Sequence, residues 1–326
     1  MSTIKLSKEY GDILISGDVL QEHKGRIIPI TLGIDLALCG GLLEGTTTVI
    51  AGKSGFGKTT LCLTIATNAQ KMDKTVYYMD VENRLQLSLM KTIPGLNIEK
   101  LQIIRPTKDK FLVAEDYLNI MLDILKADEG CVIIVDSIAN FCTNNALGKK
   151  IGEGKKLAEI PSLMYEFFRQ ASQIIQVMKS NVIFITHTQA NPSPYGGPVE
   201  MGGNAQQFLS SNRLLCLSSK EIPDEMPKTG RNSIFKINKS ALGPSGGEAI
   251  VPIRYGFGVD KYEDIYSCAE EMGLIIHKGA WYTINLPEYS ELKLQGKNSV
   301  LDNMKSDPKM SDMLERNIRE LILGKE

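Results

Sequence analysis

The chain has 326 residues, 43% of them hydrophobic, which suffices for one large core and a small second unit and excludes a disordered protein. Thirty-seven Lys and Arg stand against 38 Asp and Glu, a net charge of -1, so coating of nucleic acid through overall basicity is excluded and any such binding needs local patches. Residues 1–13 lack a signal-peptide stretch and no run approaches about 18 apolar residues, so the chain is expected in the cytosol, off the membrane.

Taken in chain order, the first predicted strand, 47–51, runs into Gly52-Lys53-Ser54-Gly55-Phe56-Gly57-Lys58-Thr59-Thr60, a G-x-x-x-x-G-K-T phosphate-binding loop followed by a helix over 60–70. Its glycines allow a tight turn whose N–H groups, with the N-terminus of the helix, face the β- and γ-phosphates of a nucleotide. Lys58 is expected to neutralise phosphate and Thr59 to hold Mg²⁺. The next strand, 75–81, ends in Asp80-Val81-Glu82, and a carboxylate at that tip can orient water for in-line attack, which makes Glu82 the candidate general base. A solvated loop carboxylate is the plainer alternative.

A strand over 101–104 and a helix near 112–126 lead to 132–136, an apolar run closed by Asp136 in the Walker B manner and expected to reach Mg²⁺ through water. Next come the glycine-rich stretch 144–156, a helix over 158–179, and a strand over 182–186 that ends at His187, either a sensor of nucleotide or a structural histidine. A second glycine-rich stretch, 189–204, and strands over 213–217 and 233–238 complete the core. Short apolar strands separated by helices imply an α/β fold with a largely parallel sheet covered on both faces. From about residue 260 a helix (265–271), a hairpin-like segment (274–285) and a helix (311–323) predict a small α+β C-terminal domain. Six scattered cysteines without a C-x-x-C pair read as reduced thiols, with neither zinc nor disulfides expected.

Two loops of that length are usually functional or disordered. The first carries Lys149, Lys150, Lys155 and Lys156 against Glu153, a local excess of +3 suited to phosphate contacts, though such runs are commonly just solvated. The second offers Tyr195, an aromatic able to stack on a base or merely to pack, and Met201, Gly202, Gly203 and Asn204, whose N–H groups suit phosphate.

The order of these pieces resembles the RecA recombinase family over residues 28–325. Ile30-Thr31-Leu32-Gly33-Ile34-Asp35-Leu36-Ala37-Leu38 and Gly40-Gly41-Leu42 are similar to its lead-in, and Met79-Asp80-Val81-Glu82 to its catalytic-glutamate strand. Met201-Gly202-Gly203-Asn204-Ala205 with Phe208 resembles the end of its second DNA loop, and Ile237-Asn238-Lys239 its basic motif. Tyr255-Gly256-Phe257-Gly258 and Gly279-Ala280-Trp281-Tyr282 are similar to the end of its core and its C-terminal domain.

The resemblance implies a RecA-type P-loop ATPase core with a mostly parallel twisted sheet flanked by helices. It also implies an ATP- and Mg²⁺-dependent helical filament on single-stranded DNA that pairs with homologous duplex. Single-strand-binding and loader proteins would be its helpers. On that pattern Lys239 stabilises γ-phosphate charge on a neighbouring subunit, and Arg169 joins the DNA-binding candidates. The division expected is an N-terminal segment 1–27, a core 28–259 with DNA loops 144–157 and 188–204, and a C-terminal domain 260–326. Three departures stand out. His187 occupies the place of the bacterial sensor glutamine, as in phage-type members. The segment before the core does not match the bacterial polymerisation helix. Leu89 falls where an aromatic stacks on adenine, and the sequence ends without an acidic tail. A hexameric helicase or ring ATPase, and a non-enzymatic DNA-binding filament, are the competing readings.

Overall fold

The computed structural model describes residues 25–150, 159–189, 199–200, 209–222 and 229–322, with 11, 13, 14 and 324. In chain order its strands are β1 (Ile27–Ile28), β2 (Leu42–Leu43), β3 (Thr47–Gly52), β4 (Val76–Asp80), β5 (Leu101–Ile104), β6 (Val132–Asp136), β7 (Asn181–Gln189), β8 (Val199–Glu200), β9 (Asn212–Glu221), β10 (Gly230–Lys239), β11 (Glu248–Arg254), β12 (Gly258–Val259), β13 (Ile275–Lys278), β14 (Trp281–Ile284) and β15 (Lys293–Gln295). The main sheet has the order β12-β11-β10-β9-β3-β7-β6-β4-β5. From β9 to β5 every neighbouring pair is parallel; β10, β11 and β12 extend the sheet antiparallel.

The period of two along a strand sorts the core into two layers. Val132, Ile134, Ile183 and Ile185 face the helix Lys58–Gln70, where Leu61, Ile65 and Ala69 are buried. Their alternates Ile133, Val135, Val182 and Phe184 face the helices Ala114–Ala127 and Glu159–Val177. Phe184 sits edge-on to Phe167 and Phe168, with ring centroids 6.0 and 5.7 Å away. Each such ring contributes about 1.5–3 kcal/mol through burial. The sheet is therefore packed on both faces at its centre, at the strands that lead to the candidate site.

β9 is longer than the expected 213–217, and its length shapes the site. It follows β3 only from Asn212, opposite Thr48, to Cys216, opposite Gly52. Its last five residues run on past the end of β3, by about 16 Å at strand rise, paired with β10. β11, unassigned in sequence because Pro252 interrupts its pattern, closes the far side of this overhang.

The stretch 144–156 begins not as loop but as the helical turn Asn144–Leu147, capped where Thr143 Oγ1 accepts from Ala146 N. In the second stretch β7 runs on to Gln189, and β8 pairs back on it with Thr188 opposite Glu200. After β12 the helices Lys261–Glu271, Lys297–Ser306 and Pro308–Ile322 pack with the three-stranded sheet β13-β14-β15 into their own apolar cluster around Ile265, Val300, Met304 and Leu314. Two buried acids join this unit to the helix Leu32–Leu38: Asp264 accepts from Leu32 N and Gly33 N at 2.7 and 3.2 Å, and Asp35 accepts from Arg319 Nη1 at 2.8 Å. Burial pushes both carboxyls up to about 7.

Candidate functional site

Strand register gathers the chemistry at one edge. Gly52, where β3 ends, lies opposite His187 of β7, and Asp80 of β4 lies opposite Asp136 of β6. Because these strands run the same way, the phosphate loop, Glu82, Asp136 and His187 meet at the carboxyl edge, where open α/β sheets bind ligands.

Gly55 and Gly57 turn the loop at φ of 77° and 85°, left-handed values that cost other residues about 1–2 kcal/mol. The loop delivers Lys58, Thr59 and Thr60 to the first turn of its helix. Lys58 is buried, and its Nζ donates to the carbonyls of Gly52 and Lys53, each at 2.8 Å. It also lies 3.5 Å from His187 Nδ1. An ammonium only donates, so Nδ1 is the acceptor and a neutral His187 carries its proton on Nε2. Nε2 then donates to Glu82 Oε1 at 2.9 Å. Glu82 also accepts from Ser137 Oγ at 2.8 Å and pairs with Arg84 Nη1 at 3.3 Å.

The two carboxylates are pushed in opposite directions. Burial pushes Glu82 up, but the hydrogen bonds from His187 and Ser137 and the charge of Arg84 outweigh it and hold the group below the ordinary glutamate value. At Asp136 burial prevails and raises the pKa, against hydrogen bonds to Oδ2 from Tyr78 at 2.7 Å and Thr59 Oγ1 at 2.8 Å. Lys58 is pulled down by burial while Asp136 and Glu82 oppose the change. Neighbouring acids with diverging pKa values are suited to different tasks.

These groups form one side of a pocket of about 320 Å³. The overhanging strands form the other, with Arg231, Ile253, Arg254, Tyr255 and Gly256, and Leu89 and Thr92 line it too. Leu89 thus sits in the pocket as an aliphatic group, and the aromatic face is that of half-exposed Tyr255. Of the pocket-lining residues, Arg231 of β10 and Ile253 and Arg254 of β11 were not legible as site residues in sequence. The one signal was Tyr255-Gly256-Phe257-Gly258, which marks the end of the core without indicating that it folds back over the phosphate loop.

The DNA candidates are gathered less tightly. Lys149 and Lys150 follow the turn Asn144–Leu147 at the surface, and the start of that loop is tied to its far end where Thr143 Oγ1 and Asn145 Nδ2 donate to Glu159, each at 2.5 Å. Lys155, Lys156, Tyr195, Met201, Gly202, Gly203 and Asn204 lie outside the described residues. Arg169 is exposed about 15 Å along the helix Glu159–Val177 from its start, its guanidinium 6.0 Å from the Tyr165 ring. Lys239, paired in register with Arg213, sits at the opposite end of the sheet from its own phosphate loop and donates to Ser210 O at 2.5 Å. It therefore has no part in the site of its own chain.

The model of the RecA N-terminal domain matches residues 2–260, and so also covers the segment ahead of residue 28 that the motifs leave out. The chain is 28% identical over 324 residues to Protein RecA of Haemophilus ducreyi, covering 98% of this chain and 84% of that one. It is 29% identical over 326 residues to Protein RecA of Mannheimia haemolytica, covering 98% and 85%. To Protein RecA of Thermotoga maritima it is 28% identical over 315 residues, covering 95% and 86%. With its parallel core, phosphate loop and carboxyl-edge acids, the chain belongs to the RecA family.

Proposed function

We propose that this RecA-type recombinase binds ATP at the carboxyl edge, polymerises as a helical filament on single-stranded DNA, and couples hydrolysis to pairing and strand exchange with homologous duplex. The observation that carries the reading is the Lys58–His187–Glu82 chain, in which one histidine touches the phosphate-loop lysine and the candidate base and also opens the ribbon to the second glycine-rich stretch. Glu82, ionised and oriented by His187 and Ser137, takes the proton of the attacking water. Lys58 swings from the carbonyls of Gly52 and Lys53 to phosphate oxygens, and a triphosphate that recruits it loosens its contact with His187.

Thr59 Oγ1 and Asp136 Oδ2 are hard oxygen donors 2.8 Å apart, a pair that suits Mg²⁺ bound by one or two protein groups. The ion would supply charge neutralisation at the β- and γ-phosphates. Lys239 serves a neighbouring subunit, a role supported by its distance from its own site. Lys149, Lys150, Lys155 and Lys156 with Tyr195 and 201–204 line the DNA path, and Arg169 lies at its margin. The units 28–259 and 260–326 act as core and accessory domain, and the protein works in the cytosol; among the described residues no helix is long and apolar enough to cross a membrane.

The test is ATP hydrolysis with and without single-stranded DNA, joined to electron microscopy with an ATP analogue. DNA-stimulated turnover and open helical filaments are expected. Closed rings with directional unwinding would replace the reading by a ring motor, and DNA binding without turnover by a structural filament.

A further inference from the structure

Two arginines line the overhang side of the pocket, and they differ in what already holds them. Arg254 is engaged by Asp260 Oδ2 at 3.1 Å and by Thr229 Oγ1 at 3.3 Å, so its charge is matched within the fold. Arg231, near the start of β10, has a different surrounding. Its Nη1 donates to the carbonyl of Gly55 at the tip of the phosphate loop, its Nε donates to Tyr255 Oη at 3.0 Å, and its guanidinium carbon lies 5.6 Å from the centre of that ring. Among the described residues no carboxylate pairs with it, Glu221 opposite it in the β9–β10 register included. Two residues on, and therefore on the same face of β10, Ser233 Oγ donates to Phe56 O at 3.0 Å. The strand thus grips the loop tip through two side chains, one of them cationic.

A guanidinium has five N–H donors, and these contacts use two. Three remain, on a half-buried cation in a pocket whose other wall carries Lys58, Thr59 and the start of a helix, all arranged for anion binding. Its place is also specific. Lys58, His187 and Glu82 are joined to one another, whereas Arg231 is joined to the loop tip and the Tyr255 phenol and to none of those three.

We propose that Arg231 is a further nucleotide-binding residue acting within its own subunit, a ligand of the phosphates nearest the nucleoside whose fork is aimed by Gly55 O and the Tyr255 phenol. The inference rests on the nucleotide-site reading above. It deepens that reading by assigning the base-proximal phosphates to a residue of the antiparallel strands, while phosphate-loop residues and Glu82 handle the terminal one. A contact of this kind is made equally to a nucleoside diphosphate and a triphosphate and does not change as the terminal phosphate leaves. It therefore acts on affinity and not on the chemical step.

The experiment measures affinity for ADP and for a non-hydrolysable ATP analogue, together with KM and kcat for ATP, in the full-length protein and in Arg231→Gln, Arg231→Lys and Tyr255→Phe. Glutamine keeps a donor for Gly55 O and removes the charge. Arg231→Gln is expected to weaken both nucleotides by about tenfold or more and by the same factor, with KM raised in step and kcat unchanged, because hydrogen bonds to charged groups are the stronger class. Arg231→Lys keeps the charge without the fork and falls between, and Tyr255→Phe, which frees the guanidinium to turn, gives a smaller rise in KM. Thermal unfolding without nucleotide reports whether the variants fold. Equal affinities in wild type and Arg231→Gln, or a loss confined to kcat or to the triphosphate, would overturn the assignment. Failure of the wild type to bind either nucleotide would instead overturn the nucleotide site itself.

Discussion

The two halves of the main sheet meet at the phosphate loop and contribute differently to it. In the parallel half, β3, β7, β6 and β4, register alone brings His187 opposite Gly52, where the phosphate loop starts, and Asp136 opposite Asp80. The antiparallel half, β9 to β11, contributes no acid or base to the hydrolytic cluster. It overhangs the loop and holds it from outside, through Ile253 against Gly57, Ser233 on Phe56 and Arg231 on Gly55. One half therefore carries the candidate hydrolytic groups and the other holds the loop that bears Lys58 and Thr59. Mutations in the two should fail differently, the first in turnover and the second in affinity.

The largest effect tests the parallel half. Lys58→Ala removes the ammonium that bridges two loop carbonyls and His187, and hydrolysis should fall to background, with nucleotide affinity reduced as well. Retained turnover in a phosphate-release assay would dissolve the comparison at once. Glu82→Gln comes next: it keeps the shape of the side chain and removes the base, so turnover should fall by about 10²–10⁴ while ATP-dependent binding of single-stranded DNA persists. A loss of DNA binding along with turnover would show Glu82 to be a structural member of the cluster.

Gly57→Ala tests the seam between the halves. At φ 85° any other residue is strained, and Ile253 Cδ1 occupies the place where a Cβ would go. Nucleotide affinity should drop by about one to two orders of magnitude, from roughly 1–2 kcal/mol of backbone strain plus displacement of the side chain. Pairing the substitution with Ile253→Ala should recover the displacement part and leave the strain. If the double variant is no better than the single, the overhang does not press on the loop.

The parallel half was also the legible one. Runs such as Cys131-Val132-Ile133-Ile134-Val135-Asp136 announce a buried strand and its polar tip together, and the fold then needs only parallel order to bring the tips into one place. Asp136, Glu82 and His187 were singled out in this way, and Lys58 and Thr59 by the spacing of the phosphate loop; the structure brings the five side chains together. The antiparallel half was not legible, for two physical reasons. Its contacts join positions far apart in sequence, Gly55 with Arg231 and Gly57 with Ile253, and no local pattern encodes such pairs. β11 also carries Pro252 with polar ends, which masks a strand whose edges lie over a ligand site. The helical turn in 144–156 was missed because four residues are too few to show a period. At Lys239 the sequence pattern shows a basic strand end but not which end of the sheet it occupies.

The smallest effect concerns how the parallel half tunes its own base. Glu82 lies below the ordinary glutamate value, the opposing push of burial being outweighed by the hydrogen bonds of His187 and Ser137 and by nearby positive charge. A carboxylate with a depressed folded-state pKa adds stability above its unfolded value and loses that contribution as pH falls through the folded one. Glu82 is therefore ionised throughout the neutral range, and as the proposed base it should give kcat an acid limb below the ordinary glutamate value. His187→Ala deletes the 2.9 Å hydrogen bond, the largest of the effects that hold Glu82 down, so the pKa of Glu82 should rise and the acid limb should move to higher pH. The corresponding change at the antiparallel half, Arg231→Gln, touches no group on Glu82 and should shift KM without moving the limb. Profiles of kcat against pH for the three proteins separate the halves directly: a limb that stays put in His187→Ala would mean that Ser137 and Arg84 alone hold the base, and one that moves in Arg231→Gln would mean that the two halves are electrostatically one.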